Sequence, residues 1–581
     1  MFSNISESQF DVIVIGAGIN GAGIARDASM RGLKVLVLDK GDIGGGTSSW
    51  STRLIHGGLR YLEHREFALV RESLRERERL LKIAPHLVRP IEMLVPVYEN
   101  ARRGWWTIRA GMIAYDLLSF DKSLPRHQML SRDETLARVP GINASGLLGA
   151  AVYFDAQVEF AERLVLENVL SAIEHGATVL TYARVNKLSV EVDGAYRVEF
   201  TTNEVQCPNS KVQSLVAEID SESKVQDGKS QAGMPQGQEG GLAPALSLKP
   251  STNVATAKVV INAAGPWVDE LLTQTTPASS PRLIGGTKGS HIIVAPFPDA
   301  PAAAIYVEAE TDGRPFFIIP WNGKVLIGTT DISYSSDLDR VRIDGGEIDY
   351  LLRETNRVIP EARLTRKHVL YTYSGVRPLP FTNKSEAPDI TRRHFIRRHP
   401  QLDRLFSIVG GKLTTYRSLA EEAVDLVLRE LGRSSLACET AQSPLPGAAI
   451  DFASFSDDFR QQHPELSEAT HDHLLRVYGS RATLVMDLVA EDSSLGEVVD
   501  EETGAIAAEV VFAFQREFAQ TISDCLLRRT MVGLNSSCGL NALEAVTAIA
   551  RRQLGWSEKR VTDETEAYCN EINRKRWSEW Y

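Results

Sequence analysis

The chain has 581 residues, with 64 Lys+Arg against 75 Asp+Glu, for a formal net charge of −11. Hydrophobic residues at 43% and charged residues at 24% exclude a collagen-like, disulfide-scaffold or wholly disordered chain. The acidic balance argues against a nucleic-acid binder, whose footprint is a basic excess, and the length predicts three or four domain-sized units with a large core.

Five cysteines, an odd number with no CxxC pair, speak against a zinc ribbon, an iron–sulfur cluster or a disulfide framework and for a reducing compartment. No metal site is expected. The N-terminus, Met1-Phe2-Ser3-Asn4-Ile5-Ser6-Glu7, lacks the basic start and apolar run of a signal peptide. No run reaches 18 apolar residues, so the expectation is a cytoplasmic protein without a transmembrane helix.

Gln9-Phe10-Asp11 leads into Val12-Ile13-Val14-Ile15, a continuous apolar run of the kind buried on both faces of a parallel sheet. Gly16-Ala17-Gly18-Ile19-Asn20-Gly21 follows, then a helical stretch through Arg31, then the strand Val35-Leu36-Val37-Leu38 ending at Asp39. This predicts a βαβ unit in which Gly16-x-Gly18-x-x-Gly21 is the dinucleotide fingerprint. The first glycine permits the tight turn, the second lets backbone approach a pyrophosphate, and the third lets helix and strand pack closely. The phosphates then rest on the helix N-terminus, and Asp39 is placed to accept hydrogen bonds from a ribose diol. The fingerprint alone does not separate FAD from NAD. Its place at the start of a long chain, with ordered segments returning far downstream, favours FAD.

Residues 62–83 read as a charged amphipathic helix with Phe67, Val70, Leu74 and Leu81 on one stripe. Strand-like and mixed segments fill 90–200. No aromatic residue occurs between Phe200 and Trp267, and 203–250 is rich in Ser, Gln, Gly and Lys, so it reads as an insertion or partly disordered loop. Lys258–Gly265, Val325–Thr330 and Phe406–Val409 read as further strands, the last ending at Gly410-Gly411. A helix from about Thr414 to Glu430 follows. Its N-terminus, aimed at the pyrimidine end of an isoalloxazine, would stabilise an anionic reduced flavin. Beyond Pro444-Leu445-Pro446-Gly447 the pattern is mostly helical, notably over 505–529 and 541–553.

The segment Thr47-Ser48-Ser49-Trp50-Ser51-Thr52-Arg53-Leu54-Ile55-His56-Gly57-Gly58-Leu59-Arg60-Tyr61-Leu62 is the most specific. Its hydroxyls suit phosphate or flavin-edge hydrogen bonds, and Gly57-Gly58 allows close approach. With Gly18-Ile19-Asn20-Gly21-Ala22-Gly23-Ile24-Ala25 before it, this segment closely resembles the bacterial FAD-dependent glycerol-3-phosphate dehydrogenases, flavoproteins of the D-amino-acid-oxidase-like superfamily. Further motifs match in the family's order: Asn262–Trp267, Lys288–His291, Ile318–Trp321, Ile327–Asp331, Tyr373–Leu379 and Gly410–Arg417. The resemblance spans roughly 9–450 and continues more weakly beyond; the 203–250 stretch departs from it.

The resemblance implies an α/β fold: an N-terminal FAD-binding Rossmann-type βαβ domain, an interleaved α+β substrate (cap) domain and a C-terminal all-α domain. The implied division is FAD-binding at 9–90, 151–275 and 376–440, cap at 91–150 and 276–375, and helical at 441–581. It implies non-covalent FAD and oxidation of sn-glycerol 3-phosphate to dihydroxyacetone phosphate, with hydride transfer to flavin N5 and electrons passed to a membrane quinone. A glycerol-3-phosphate oxidase, reducing oxygen to peroxide, carries the same motifs. The cofactor residues are then Gly16, Gly18, Gly21, Asp39, Thr47, Ser48, Ser49, Gly57, Gly58, Gly265, Gly410, Gly411 and Thr414. The family's substrate-site positions map onto His56, Arg60, Tyr61, Arg377 and Lys412, of which His56, Arg377 and Lys412 are the catalytic candidates. A homodimer is compatible with this reading.

The residue types agree with that chemistry. A phosphomonoester is close to a dianion at neutral pH, and guanidinium forks bind its oxygens bidentately; Arg60 and Arg377 are the chosen clamp. His56 is the candidate for the base that takes the alcohol proton, with Arg377 polarising the alcohol as the alternative. Residues 60–110 carry 11 Lys+Arg against 7 Asp+Glu. Their end, with Arg102, Arg103, Trp105, Trp106 and Arg109, suits a membrane interface, where Arg meets anionic headgroups and indole sits at the boundary. A peripheral place on the cytoplasmic face of the membrane is therefore expected.

Overall fold

The computed structural model describes residues 9–63, 65–202, 251–277, 282–382, 391–434 and 436–576. The 203–250 stretch lies outside them. Its two flanks are antiparallel register partners, Thr202 opposite Ser251, so the chain leaves and re-enters at the end of one hairpin.

Two large sheets organise the rest. The first carries five parallel strands in the order Thr178–Leu180, Val35–Leu38, Gln9–Ile15, Ser251–Asn262, Leu405–Val409. Their continuous apolar runs are fully buried, as in Val12, Val14, Val35, Val37, Val259 and Ile261, because helices cover one face and an antiparallel meander and loops the other. The covering helices are Ile19–Met30, Ala161–Glu174 and Tyr416–Glu430. At Gly23 an added Cβ would lie 2.7 Å from the Tyr416 ring; this is how closely the first and third of them cross. Tyr196–Thr202 and Ala183–Val190 extend the sheet in antiparallel fashion.

The second sheet has ten strands and is almost wholly antiparallel. Its backbone of order is Thr287–Val294, Lys324–Gly328, Pro315–Trp321, Ala304–Glu308, Val88–Tyr98, Leu147–Val158 and the two-residue strand Leu54–Ile55, with Val369–Arg377 on the far side of Thr287–Val294. Helix Gly345–Val358 packs on it through Ile348, Leu351 and Leu352. Positions 90/91, 150/151, 275/276 and 375/376 all fall inside strands.

Beyond 441 the chain is helical, from Phe452–Gln462 to Glu558–Lys575, with one small hairpin, Val498–Asp500 with Ala505–Ile506. The stretch expected to be helical in pattern over 505–529 holds helix Ala507–Arg516, then Phe518 with a left-handed φ of 64°, and a second helical turn that begins at Ile522. The helix expected over 62–83 is Phe67–Ile83. Val70 and Leu74 face the core as expected, but Phe67 is exposed and Leu81 only partly buried. Their places are taken by Glu76, Arg77 and Glu78, buried as ion pairs, a pattern that hydrophobic periodicity does not see.

Candidate active site

The glycine turn after Gln9–Ile15 is built as its sequence requires. Gly16 has φ +108° and a Cβ there would lie 2.6 Å from the Ala263 carbonyl; at Gly21 it would lie 1.8 Å from the Gly16 carbonyl. Gly18, by contrast, faces open space, where a Cβ would meet only the Ser48 hydroxyl at 3.5 Å. Asp39 accepts hydrogen bonds from the N–H groups of Ala17 (2.6 Å) and Gly41 (2.8 Å), while burial pushes its carboxyl above the usual range. Gly410 and Gly411 (φ +78° and +98°) lead into the short turn Leu413–Thr415 and then helix Tyr416–Glu430.

These pieces surround a cavity of about 780 Å³. Gly16, Gly18, Asp39, Thr47, Ser48, Gly265, Gly410, Gly411 and Lys412 line it. Ser48 accepts the Ile19 N–H at 3.0 Å, and Thr47 donates to the Val376 carbonyl at 2.7 Å. Asn20 Oδ1 and Trp267 Nε1, on its wall, are buried without protein partners. A long mixed cavity with a helix N-terminus, an acidic ribose partner and orphaned polar atoms fits FAD in size and chemistry.

A second cavity of about 530 Å³ shares the wall Thr47, Trp50, Gly375, Gly411 and Lys412 with the first. His56, Gly58, Arg60, Tyr61, Arg377 and Thr414 line it. His56 follows the strand Leu54–Ile55, and its N–H donates to Thr414 Oγ1 at 3.2 Å. Burial, with Lys412 nearby, pulls the imidazole down to about 3, so it is neutral at working pH. Lys412 donates to Ser73 Oγ at 2.9 Å and lies 4.6 Å from the Tyr61 ring centroid; burial brings its ammonium down to about 8. Arg377, at the end of Val369–Arg377, donates to Asp331 Oδ1 and Thr329 Oγ1, both at 3.0 Å. Burial, against the pull of Asp331, lowers its guanidinium.

Gly21, Ser49 and Gly57 line neither cavity. Ser49 donates to the Gly44 carbonyl at 2.6 Å, and a Cβ at Gly57 would strike Tyr115 and Leu74, so these three act on packing. The second cavity also holds residues that sequence reasoning did not select: Arg314, Arg392, Asp331, Glu66 and His291. Asp331 bridges Arg377 and Arg392 (3.1 Å). His291 is 3.0 Å from Thr52 Oγ1 and is held neutral by burial and by Arg377. Arg314 follows Asp312-Gly313, a turn of the kind that marked Arg60 and Arg377; nothing in the sequence distinguishes Arg392.

The comparisons with known proteins agree with this geometry. Residues 11–426 match the family model described as FAD dependent oxidoreductase, and 438–561 match the C-terminal domain of alpha-glycerophosphate oxidase. The chain belongs to the FAD-dependent oxidoreductases. It is 45% identical to a glycerol-3-phosphate dehydrogenase of Synechocystis sp., covering 98% of this chain and 97% of that protein. It is 36% identical to a D-erythritol 1-phosphate dehydrogenase of Brucella abortus, covering 90% and 94%. The crystal structure of a glycerol-3-phosphate dehydrogenase from Bacillus halodurans, complexed with FAD, superposes with a TM-score of 0.75 at 26% identity, covering 100% of this chain and 98% of that one. The expected fold, a flavoprotein α/β body with a C-terminal helical domain, and the expected FAD cofactor are therefore borne out.

The tryptophan-containing segment forms helix Trp105–Leu118. Ile108, Met112 and Tyr115 face the core, and Trp105 packs against it. Trp106, Ile113, Leu117 and Phe120 are exposed, Trp106 by 73% and Phe120 by 78%. The basic residues divide: Arg103 is tied to Glu63 and Glu308, whereas Arg102 and Arg109 are exposed, with Arg109 5.5 Å from the Trp106 ring. Among the described residues no helix is long and apolar enough to cross a membrane.

Proposed function

We propose that this enzyme oxidises sn-glycerol 3-phosphate to dihydroxyacetone phosphate and passes the electrons to a membrane quinone. The observation that carries the reading is the second cavity: five cationic side chains, Arg60, Arg314, Arg377, Arg392 and Lys412, against two carboxylates, Glu66 and Asp331, share a wall with the FAD cavity. That excess suits a phosphomonoester dianion attached to a small, uncharged alcohol. The name of the Synechocystis relative points to glycerol 3-phosphate within that class.

The guanidinium forks fix the phosphate, and with it the orientation of the attached carbinol. Bound FAD supplies the two-electron acceptor for the hydrogen at C2. The neutral imidazole of His56 takes the hydroxyl proton. Lys412, at the wall between the cavities, holds positive charge beside both the phosphate and the cofactor. Arg377 and Tyr61 donate hydrogen bonds to substrate oxygens, and Asp331 keeps the two forks of Arg377 and Arg392 aligned.

The exposed face Trp106, Ile113 and Leu117, spaced so that it forms one stripe, with Phe120 exposed just past the helix end and Arg102 and Arg109 beside it, supports a peripheral seat on the cytoplasmic leaflet. A quinone acceptor requires such a seat. The test is to reduce the holoenzyme anaerobically with glycerol 3-phosphate and compare reoxidation by a short-chain quinone and by oxygen. Faster reoxidation by the quinone supports the proposal; oxygen at least as fast, with stoichiometric peroxide, assigns an oxidase instead.

A further inference from the structure

The FAD cavity is not closed by the two sheets alone. Its charged lining side chains include Arg528, Glu571, Arg574 and Lys575, from the C-terminal helical region at the opposite end of the chain from the glycine fingerprint. Arg528 sits in the turn Cys525–Arg529 and the other three on the last helix, Glu558–Lys575.

That region is fastened to the cofactor side at two places. At one end Asp42, three residues beyond Asp39, accepts from Arg528 Nε at 2.5 Å and from Arg529 Nη2 at 2.7 Å, and all three side chains are buried. Tyr182, another lining residue, donates to Asp524 at 2.7 Å beside them. At the other end Thr372 Oγ1 donates to the Lys575 carbonyl at 2.9 Å, and the Lys575 ammonium lies 4.6 Å from the ring centroid of Trp50. Trp50 walls both cavities.

The charges on this wall are unequal. Arg528 is occupied by Asp42 and Asp524, and Lys575 by Glu571 at 3.0 Å. Arg574 is exposed and has no acidic partner among the described residues. Basic residues in a last helical turn ordinarily offset the helix dipole and point to water; here they stand on the wall of a cavity whose ligand carries a diphosphate.

We infer that the last helix is the outer wall of the FAD site and slows escape of the cofactor, with Arg574 and Lys575 supplying positive charge on that wall against an anionic ligand. The inference concerns FAD retention and is independent of which polyol phosphate the enzyme oxidises.

The test uses holoenzyme carrying Arg574→Glu with Lys575→Glu. Release of FAD after dilution is followed by the fluorescence of the free flavin, at low salt and at about 0.5 M salt, and the apoprotein is melted in parallel. The expected result is release about fivefold faster at low salt, the effect of two partly exposed charges. The difference shrinks at high salt, and the apoprotein melts as the unmodified one does. Unchanged release, equal acceleration at both salt concentrations, or a fall in apoprotein melting as large as that of the holoenzyme would each overturn the inference.

Discussion

Lys412 gives the sharpest pH prediction. Its ammonium lies at about 8, down from 10.5, because burial disfavours the charged form and Arg392 adds to the repulsion, only partly offset by Glu72 and Asp155. In the free enzyme it is therefore protonated below pH 8 and neutral above. The substrate phosphate, with a second pKa of about 6, is a dianion throughout this range. One pH unit above the lysine value about one-tenth of the ammonium remains, so kcat/KM should fall about tenfold from its plateau by pH 9, since that ratio reports free-enzyme ionisations. Lys412→Arg replaces the titrating group with one that stays charged. Its plateau is lower, by up to about tenfold for the altered geometry, but the alkaline limb is gone. The assay is the anaerobic rate of flavin reduction at limiting glycerol 3-phosphate from pH 7 to 9.5. A flat profile in the unmodified enzyme, or a limb that survives in Lys412→Arg, would refute the assignment of Lys412 to the phosphate site.

Three other predictions rest on separate features. His56→Asn should slow flavin reduction at saturating substrate by about 10²-fold or more, the usual share of a general base; a loss below about tenfold assigns the proton elsewhere. Gly21→Ala puts a Cβ 1.8 Å from the Gly16 carbonyl, so the purified protein should carry little FAD, which its visible absorbance measures. Trp106→Ser combined with Phe120→Ser removes one exposed apolar side chain on the helix and another just past its end and should abolish sedimentation with anionic liposomes while leaving reduction by glycerol 3-phosphate within about twofold, because neither residue lines the FAD cavity or the substrate cavity.

The first sheet was legible because strands buried on both faces write continuous apolar runs, as at Val12–Ile15 and Val35–Leu38. The second sheet was legible at Val325–Thr330 and only loosely over 90–200, and Thr287–Val294 shows why the rest was not. All eight residues are buried, yet they include Lys288, Ser290 and His291. Lys288 pairs with Glu347 at 2.6 Å, and Ser290 donates to the same carboxylate at 2.8 Å. A polar side chain satisfied from a distant helix leaves no local signature. The substrate cavity divides the same way. His56, Arg60 and Tyr61 stand in one glycine-rich segment and Arg377 and Lys412 beside other glycine motifs, and it was the family resemblance carried by those motifs that picked them out. Arg392 stands beside no such motif; in the site it pairs with Asp331, contributed by a loop after another strand. The tryptophan pair also separates only in three dimensions: position 105 packs inward and position 106 outward, a consequence of helix phase that two adjacent identical residues conceal.

The central claim is that a phosphate-selecting cavity delivers a small alcohol to FAD. Anaerobic mixing of the holoenzyme with sn-glycerol 3-phosphate, beside glycerol at the same concentration, tests it directly. Stoichiometric reduction of the flavin with formation of dihydroxyacetone phosphate, and a rate with glycerol lower by at least about 10³-fold, is the predicted result. Flavin that stays oxidised with glycerol 3-phosphate, or is reduced as fast by glycerol, would contradict it.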